Sequence, residues 1–151
     1  MARTYERVAP MTLRRARRIL GNDEAARDVV QDVFVSLLAY ERELTDEALV
    51  PWLYRSTTNL CLNRLRDDST RATLLAMQAS SDRSSQAVDD AAILRDTLQR
   101  LPADLRAVAI YYYADEMTHD EIASLLGCSR RHVGDLVQRM HAAVEALETL
   151  R

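Results

Sequence analysis

Apolar residues recur every three or four positions along most of the chain, the spacing of one buried face of an α-helix. Tyr5, Val8, Ala9, Leu13, Ala16, Ile19 and Leu20 mark a first helix, within which Pro10 is either a kink or the true start. Gly21 and Asn22 end it. Asp23 is placed to cap a second helix, in which Ala26, Val29, Val30, Val33, Phe34, Leu37 and Leu38 form a broad apolar face opposite an acidic one. The stretch from Glu41 to Pro51 interrupts the pattern, and Pro51 opens a third helix from Trp52 to about Arg66. Beyond Arg66 the sequence turns rich in Asp, Ser and Ala, with one short apolar cluster at Leu74, Leu75 and Met77, and residues 69–90 read as a flexible linker. Fully extended, such a tether reaches ~80 Å, more than the ~50 Å of one and a half turns of DNA.

A second module, residues 91–151, starts with Ile93, Leu94, Leu98 and Leu101 before Pro102, and continues with Leu105, Val108, Ala109 and Tyr112 on one helix face. Thr118 and Glu121 have capping-box spacing, so that each satisfies a backbone amide of the first turn. The helix they open carries Ile122, Ala123, Leu125 and Leu126 and ends at Gly127, where a left-handed cap is expected. Ser129 caps a last helix with the stripe Val133, Leu136, Val137, Met140, Val144 and Leu147. Short helix, Gly-containing turn and amphipathic helix together make a helix-turn-helix pattern, although a plain helical hairpin carries the same periodicity. The expected fold class is all-α: two small helical domains, residues 1–68 and 91–151, joined by a linker.

Composition agrees with this reading and narrows it. In 151 residues there are only 3 Gly and 3 Pro, with 48% hydrophobic and 28% charged residues, the profile of an ordered helical chain. No apolar run approaches the ~20 residues that span a bilayer, and the Arg-rich N-terminus lacks the apolar block of a secretory signal, which points to the cytoplasm. Cys61 and Cys128 stand 67 positions apart with no CxxC, as expected of two buried, reduced thiols. The net charge of −3 conceals blocks of opposite sign. Residues 1–22 hold six Arg against one Glu, and residues 23–51 hold two Arg against eight acids. Such alternation suits separate surfaces for separate partners, because charge acts within a Debye length of ~8–10 Å. Every one of the 20 basic residues is Arg.

Two residue sets carry candidate chemistry. On the last helix, Arg130, Arg131, His132, Asp135, Gln138 and Arg139 lie off the apolar stripe. There Arg suits guanine, Gln suits adenine and Asp can accept from cytosine in the major groove. On the third helix, Trp52, Arg55, Asn59, Asn63 and Arg66 project within about 80° of one another, with Leu53, Leu60 and Cys61 opposite. A ring among guanidinium and amide groups can stack and read single-stranded bases. Spacing alone favours the plainer alternative of a buried Trp52 and solvated Asn side chains. The three histidines lack metal-ligand spacing, and no phosphate loop, GxSxG or HExxH is present, so neither an enzyme, a metal site nor a cofactor is expected.

The segments AARDVVQDVFVSLLA (25–39), PWLYRSTTNLCLNRLR (51–66) and LQRLPADLRAVAIYYYADEMTHDEIASLLGCS (98–129) resemble the extracytoplasmic-function (ECF) group of sigma-70 RNA polymerase sigma factors. The resemblance implies that Asp28, Gln31, Asp32 and Phe34 lie on the face that docks on the clamp coiled coil of core RNA polymerase. It assigns residues 41–51 and Trp52, Arg55, Asn59, Asn63 and Arg66 to recognition and melting of the −10 element of promoter DNA. The last helix becomes the −35 reader, and the linker a segment threading toward the polymerase channel. Control by an anti-sigma factor is also implied. The chain departs from the family at the start of the last helix, where S-x-G-T-V-K-S-R is usual and residues 129–136 read SRRHVGDL. Gly134 weakens that helix and Asp135 repels phosphate. The rival readings are a stand-alone helix-turn-helix regulator that dimerises through residues 1–66, and a helical protein-binding adaptor.

Overall fold

The computed structural model describes residues 2–40, 42–78 and 90–150, and among these the chain is helical with no strand. The chain divides into two compact units, Met1–Arg64 and Leu65–Arg151.

In the first unit α1 (Ala2–Leu20) and α2 (Asp23–Tyr40) form a helical hairpin, followed by α3 (Asp46–Gln78), whose residues up to Arg64 belong to this unit. The turn between α1 and α2 is closed by Gly21 at φ 67°, a left-handed conformation that suits glycine, with its amide on the Arg17 carbonyl at 2.8 Å. The cap of α2 is Asn22 rather than Asp23: its Oδ1 accepts from the Ala25 amide at 3.0 Å. Asp23 instead pairs with Arg17 and, at 2.9 Å, with Arg27. Pro10 does not start α1 but lies inside it. Helix α3 likewise begins five residues before Pro51, where Thr45 Oγ1 accepts from the Ala48 amide at 3.2 Å. Helices α1 and α2 pack together, and Val8, Ala16, Leu20, Ala26, Val29, Val30, Val33 and Leu37 on them are buried, as are Leu49, Leu53 and Cys61 of α3. Tyr5 and Leu38, both expected inside, are 50% and 59% exposed. The surplus of apolar positions between Val33 and Leu38 exceeds what one buried face accommodates. Helix α3 continues to Gln78, through the first residues of the expected linker, and residues 79–89 lie outside the described residues.

In the second unit α4 (Asp90–Arg100) and α5 (Ala103–Ala109) precede a π-helical turn at Ile110–Ala114, then α6 (His119–Leu126) and α7 (Arg130–Thr149). Helix α7 packs on both α5 and α6 through Val133, Leu136, Val137 and Met140, whereas Val144 and Leu147 are half-buried. The wide turn, in which the Asp115 amide reaches the Ile110 carbonyl at 3.0 Å, changes which tyrosine faces inward. Tyr111 is fully buried and Tyr112 only half, the reverse of the 3.6-residue expectation. The Thr118/Glu121 capping box forms in both directions, Gly127 takes φ 66° as the left-handed C-cap, and Ser129 accepts from the His132 amide at 3.1 Å. The turn-helix geometry expected from the sequence is therefore present, fixed at three consecutive helix ends.

Candidate nucleic-acid and polymerase interfaces

On α2 the residues Asp28, Gln31 and Asp32 are exposed along one side of the helix. Asp28 faces Arg64 of α3 at 3.4 Å, an exposed pair of small energetic weight. Phe34 is half-buried and tilted against Tyr5, ring centroids 4.5 Å apart. The same side also carries Val35, 66% exposed, and Leu38. Neither was marked as surface by the sequence, because nearly every position from Val33 to Leu38 is apolar and the pattern cannot choose among them. Their exposure turns an acidic strip into a mixed one, with charged positions flanking apolar ones. Beside Leu38 a groove of about 690 Å³ is lined by Tyr5, Phe34, Leu37, Leu44 and Leu49.

On α3 the five candidate residues do share a face. Arg55 and Trp52 are half-buried, and Asn59, Asn63 and Arg66 are exposed. Trp52 lies 6.2 Å from the Tyr40 ring, neither sunk in the core nor free of it. Arg66 is turned toward Asp67 at 3.6 Å. Arg55, Asn59 and Asn63 have no intramolecular polar partner among the described residues, so their donors and acceptors are available.

What holds this face is a buried contact the sequence did not announce. Arg15 of α1 is 7% exposed, donates to Thr58 Oγ1 from Nε at 2.9 Å and from Nη2 at 2.8 Å, and sits 3.8 Å from the centroid of the Tyr54 ring. Thr58 in turn donates to the Tyr54 carbonyl at 2.8 Å, and buried Thr57 to the Leu53 carbonyl at 2.6 Å. A buried guanidinium needs such partners, because its desolvation is costly unless hydrogen bonds replace water. Its sequence signal was weak: Arg15 is one Arg in a run of four within LRRARRIL.

On α7 all six candidate residues are exposed. Arg131, Asp135 and Gln138 form the middle of the exposed face, opposite the buried Val133, Leu136 and Met140. Arg130 and Arg139 flank it and are engaged internally, Arg130 with Asp120 at 3.8 Å and Arg139 with Asp104 of α5 at 2.9 Å. Gly134 is helical with open space where a Cβ would stand, so nothing nearby requires a glycine.

The cysteines differ from expectation in one respect. Cys61 is buried, and desolvation pushes its thiol up to about 12 despite the opposing charge of Arg15; Cys128 is only half-buried. Among the described residues no group of His, Cys, Asp and Glu could hold a metal ion, and no helix is long and apolar enough to cross a membrane.

Comparison with known proteins follows the same division. Residues 4–71 match sigma-70 region 2 and residues 91–148 match sigma-70 region 4. The chain is 30% identical over 147 residues to the ECF RNA polymerase sigma factor SigW of Bacillus subtilis, covering 86% of this chain and 77% of that protein. It is 26% identical over 156 residues to the ECF sigma factor SigE of Mycolicibacterium smegmatis, covering 93% of this chain and 61% of that one. Among solved structures, the sigma factor RpoE of Bartonella quintana, crystallised with the anti-sigma factor NepR, superimposes with a TM-score of 0.56 at 19% identity, over 98% of this chain and 96% of that one. Region 2 stands where a stand-alone regulator would need a dimerisation module, which sets that rival aside. With sigma regions 2 and 4 in order and SigW alike across most of both chains, the chain belongs to the ECF group of RNA polymerase sigma factors, non-catalytic subunits that bind core polymerase and direct it to promoter DNA.

Proposed function

We propose that the three exposed faces divide the work of initiation. The α2 face, with Asp28, Gln31 and Asp32 around Phe34, Val35 and Leu38, docks on core polymerase. Acidic groups steer association with a basic partner surface, and burying an exposed Val or Leu side chain contributes roughly 1–2 kcal/mol each. The α3 face, with Trp52, Arg55, Asn59, Asn63 and Arg66, captures the unpaired −10 strand. Extruding a base costs a few kcal/mol, and stacking on an aromatic ring returns about 1–3 kcal/mol per base. Hydrogen bonds from the Asn amides and phosphate contacts from Arg supply the rest, with no nucleotide hydrolysis by this chain. The α7 face reads −35 DNA through Arg131, Asp135 and Gln138, with Arg130, His132 and Arg139 at its margins. Residues 1–68 and 91–151 are the two working domains, with 69–90 between them. The chain performs no catalysis of its own, works in the cytoplasm beside the polymerase, and is held in check by an anti-sigma factor, as RpoE is paired with NepR.

The observation that carries this reading is the row Arg55, Asn59 and Asn63, left without internal partners on a helix clamped from behind by Arg15. Purified protein added to core polymerase and a verified promoter should yield specific run-off transcripts. Folded protein that neither binds core enzyme nor yields transcript would overturn the reading. Asn59→Ala should reduce transcription from duplex promoters by roughly tenfold, as expected for losing one to two kcal/mol of hydrogen bonding, and reduce it less on pre-melted templates. Equal loss on both templates removes the melting role from Asn59.

A further inference from the structure

None of these roles uses the outer side of α1. Projected at 100° per residue, Arg3, Arg7, Arg14, Arg17 and Arg18 fall within about 100° of one another. All five are exposed, opposite the buried Val8, Thr12 and Ala16. Two of them have a structural reason to be there. Arg17 and Arg18 close the helix, where positive charge complements its dipole, and Arg17 also pairs with Asp23. Arg3 and Arg7 have the opposite: they occupy the N-terminal half, where the helix end is itself positive, and α1 has no acid in its first turn. Among the described residues Arg3, Arg7 and Arg14 have no ion-pair partner. The stability of the fold therefore does not account for them.

The shape of the stripe indicates what it fits. From Arg3 to Arg18 it spans ~22 Å of helix rise, the rise of about six base steps of one DNA strand. Its charged groups are all guanidinium forks, the group that pairs bidentately with phosphate, with exposed Pro10 between them and Glu6 at the edge. No exposed large apolar residue shares this side, since Tyr5 lies across the helix. A protein partner normally needs an apolar centre to its interface, whereas a phosphate backbone does not.

We propose that this arginine stripe is an additional, sequence-independent contact to the phosphate backbone of duplex promoter DNA. The inference rests on the sigma-factor reading. It is tested with the full-length chain carrying Arg3→Gln, Arg7→Gln and Arg14→Gln together, assembled with core polymerase on a duplex promoter. Gln keeps good helix propensity, and an unchanged thermal melt verifies the fold.

Promoter affinity at low salt should fall at least about tenfold, and the slope of log K against log salt should become shallower by about 2–3. Affinity for core enzyme should stay as in the wild type. The corresponding Lys triple variant should recover most of the affinity, because it restores the charge. Unchanged promoter affinity and slope would overturn the proposal. So would a parallel loss of core binding, which makes the stripe a protein contact, or a Lys variant as weak as the Gln one. Failure of the sigma reading shows separately, as wild-type protein that neither binds core enzyme nor supports transcription.

Discussion

Arg15 and Cys61 show how a few buried groups hold the first unit in register. Arg15 bridges α1 to α3 through Thr58 and Tyr54, and its charge lies near enough to the Cys61 thiol to oppose part of the effect of burial. Removing the guanidinium would leave Thr58 its bond to the Tyr54 carbonyl, so the loss falls on the α1–α3 contact rather than on α3 itself. Cys61 makes the burial measurable. Its thiol is raised from an ordinary 9.0 to about 12, so the neutral thiol favours the folded state. That contribution is intact below pH ~9, the unfolded value, and is lost as the pH climbs toward ~12. Urea midpoints of the wild type should therefore drop more steeply above pH 9 than those of Cys61→Ala. In the native protein at pH 8, thiol reagents should label Cys128 well before Cys61; equal labelling rates would contradict the buried placement.

At the level of helices, the ends were legible in the sequence and the interiors less so. A cap is a local rule: Thr118 and Glu121 three apart, Gly127 after the last apolar position and Ser129 before the next helix need no knowledge of the rest of the chain. Asn22 in place of Asp23, and Thr45 opening α3 before Pro51, are shifts of one residue and of about one and a half turns, set by which hydroxyl or amide reaches an amide first. The exchange of Tyr111 for Tyr112 has a different origin. The π-turn adds a residue to one turn, and a count based on 3.6 residues cannot anticipate it. Helix α7 offers the cleanest test at this scale. Gly134 is helical, unstrained and faces open space, so Gly134→Ala should stabilise the second unit by about 0.5–1 kcal/mol. A thermal melt that fails to rise would show that Gly134 meets some constraint beyond helix propensity.

For the whole molecule, the candidate faces were legible to different degrees for a physical reason. Polar residues on α3 and α7 declare themselves by standing off an apolar stripe, and all of those proposed are exposed except Arg55, which is half-buried. The α2 face did not, because a helix segment that is apolar nearly all round gives no angle at which to separate core from contact surface. The acidic share of that face is testable in the assembled system. Asp28→Arg with Asp32→Arg should weaken binding to core polymerase by roughly tenfold or more at low salt, with the difference shrinking as salt screens it. Isothermal titration against core enzyme at two salt concentrations would measure this, and an affinity indifferent to both changes would separate α2 from the dock. Val35 and Leu38 carry a consequence for the chain before it meets polymerase. A bare apolar strip of this kind makes the free protein a poor colloid, attracted to its own copies as its concentration rises. A partner that covers Val35 and Leu38 should therefore raise the concentration at which the chain stays dispersed, whatever the stability of either unit.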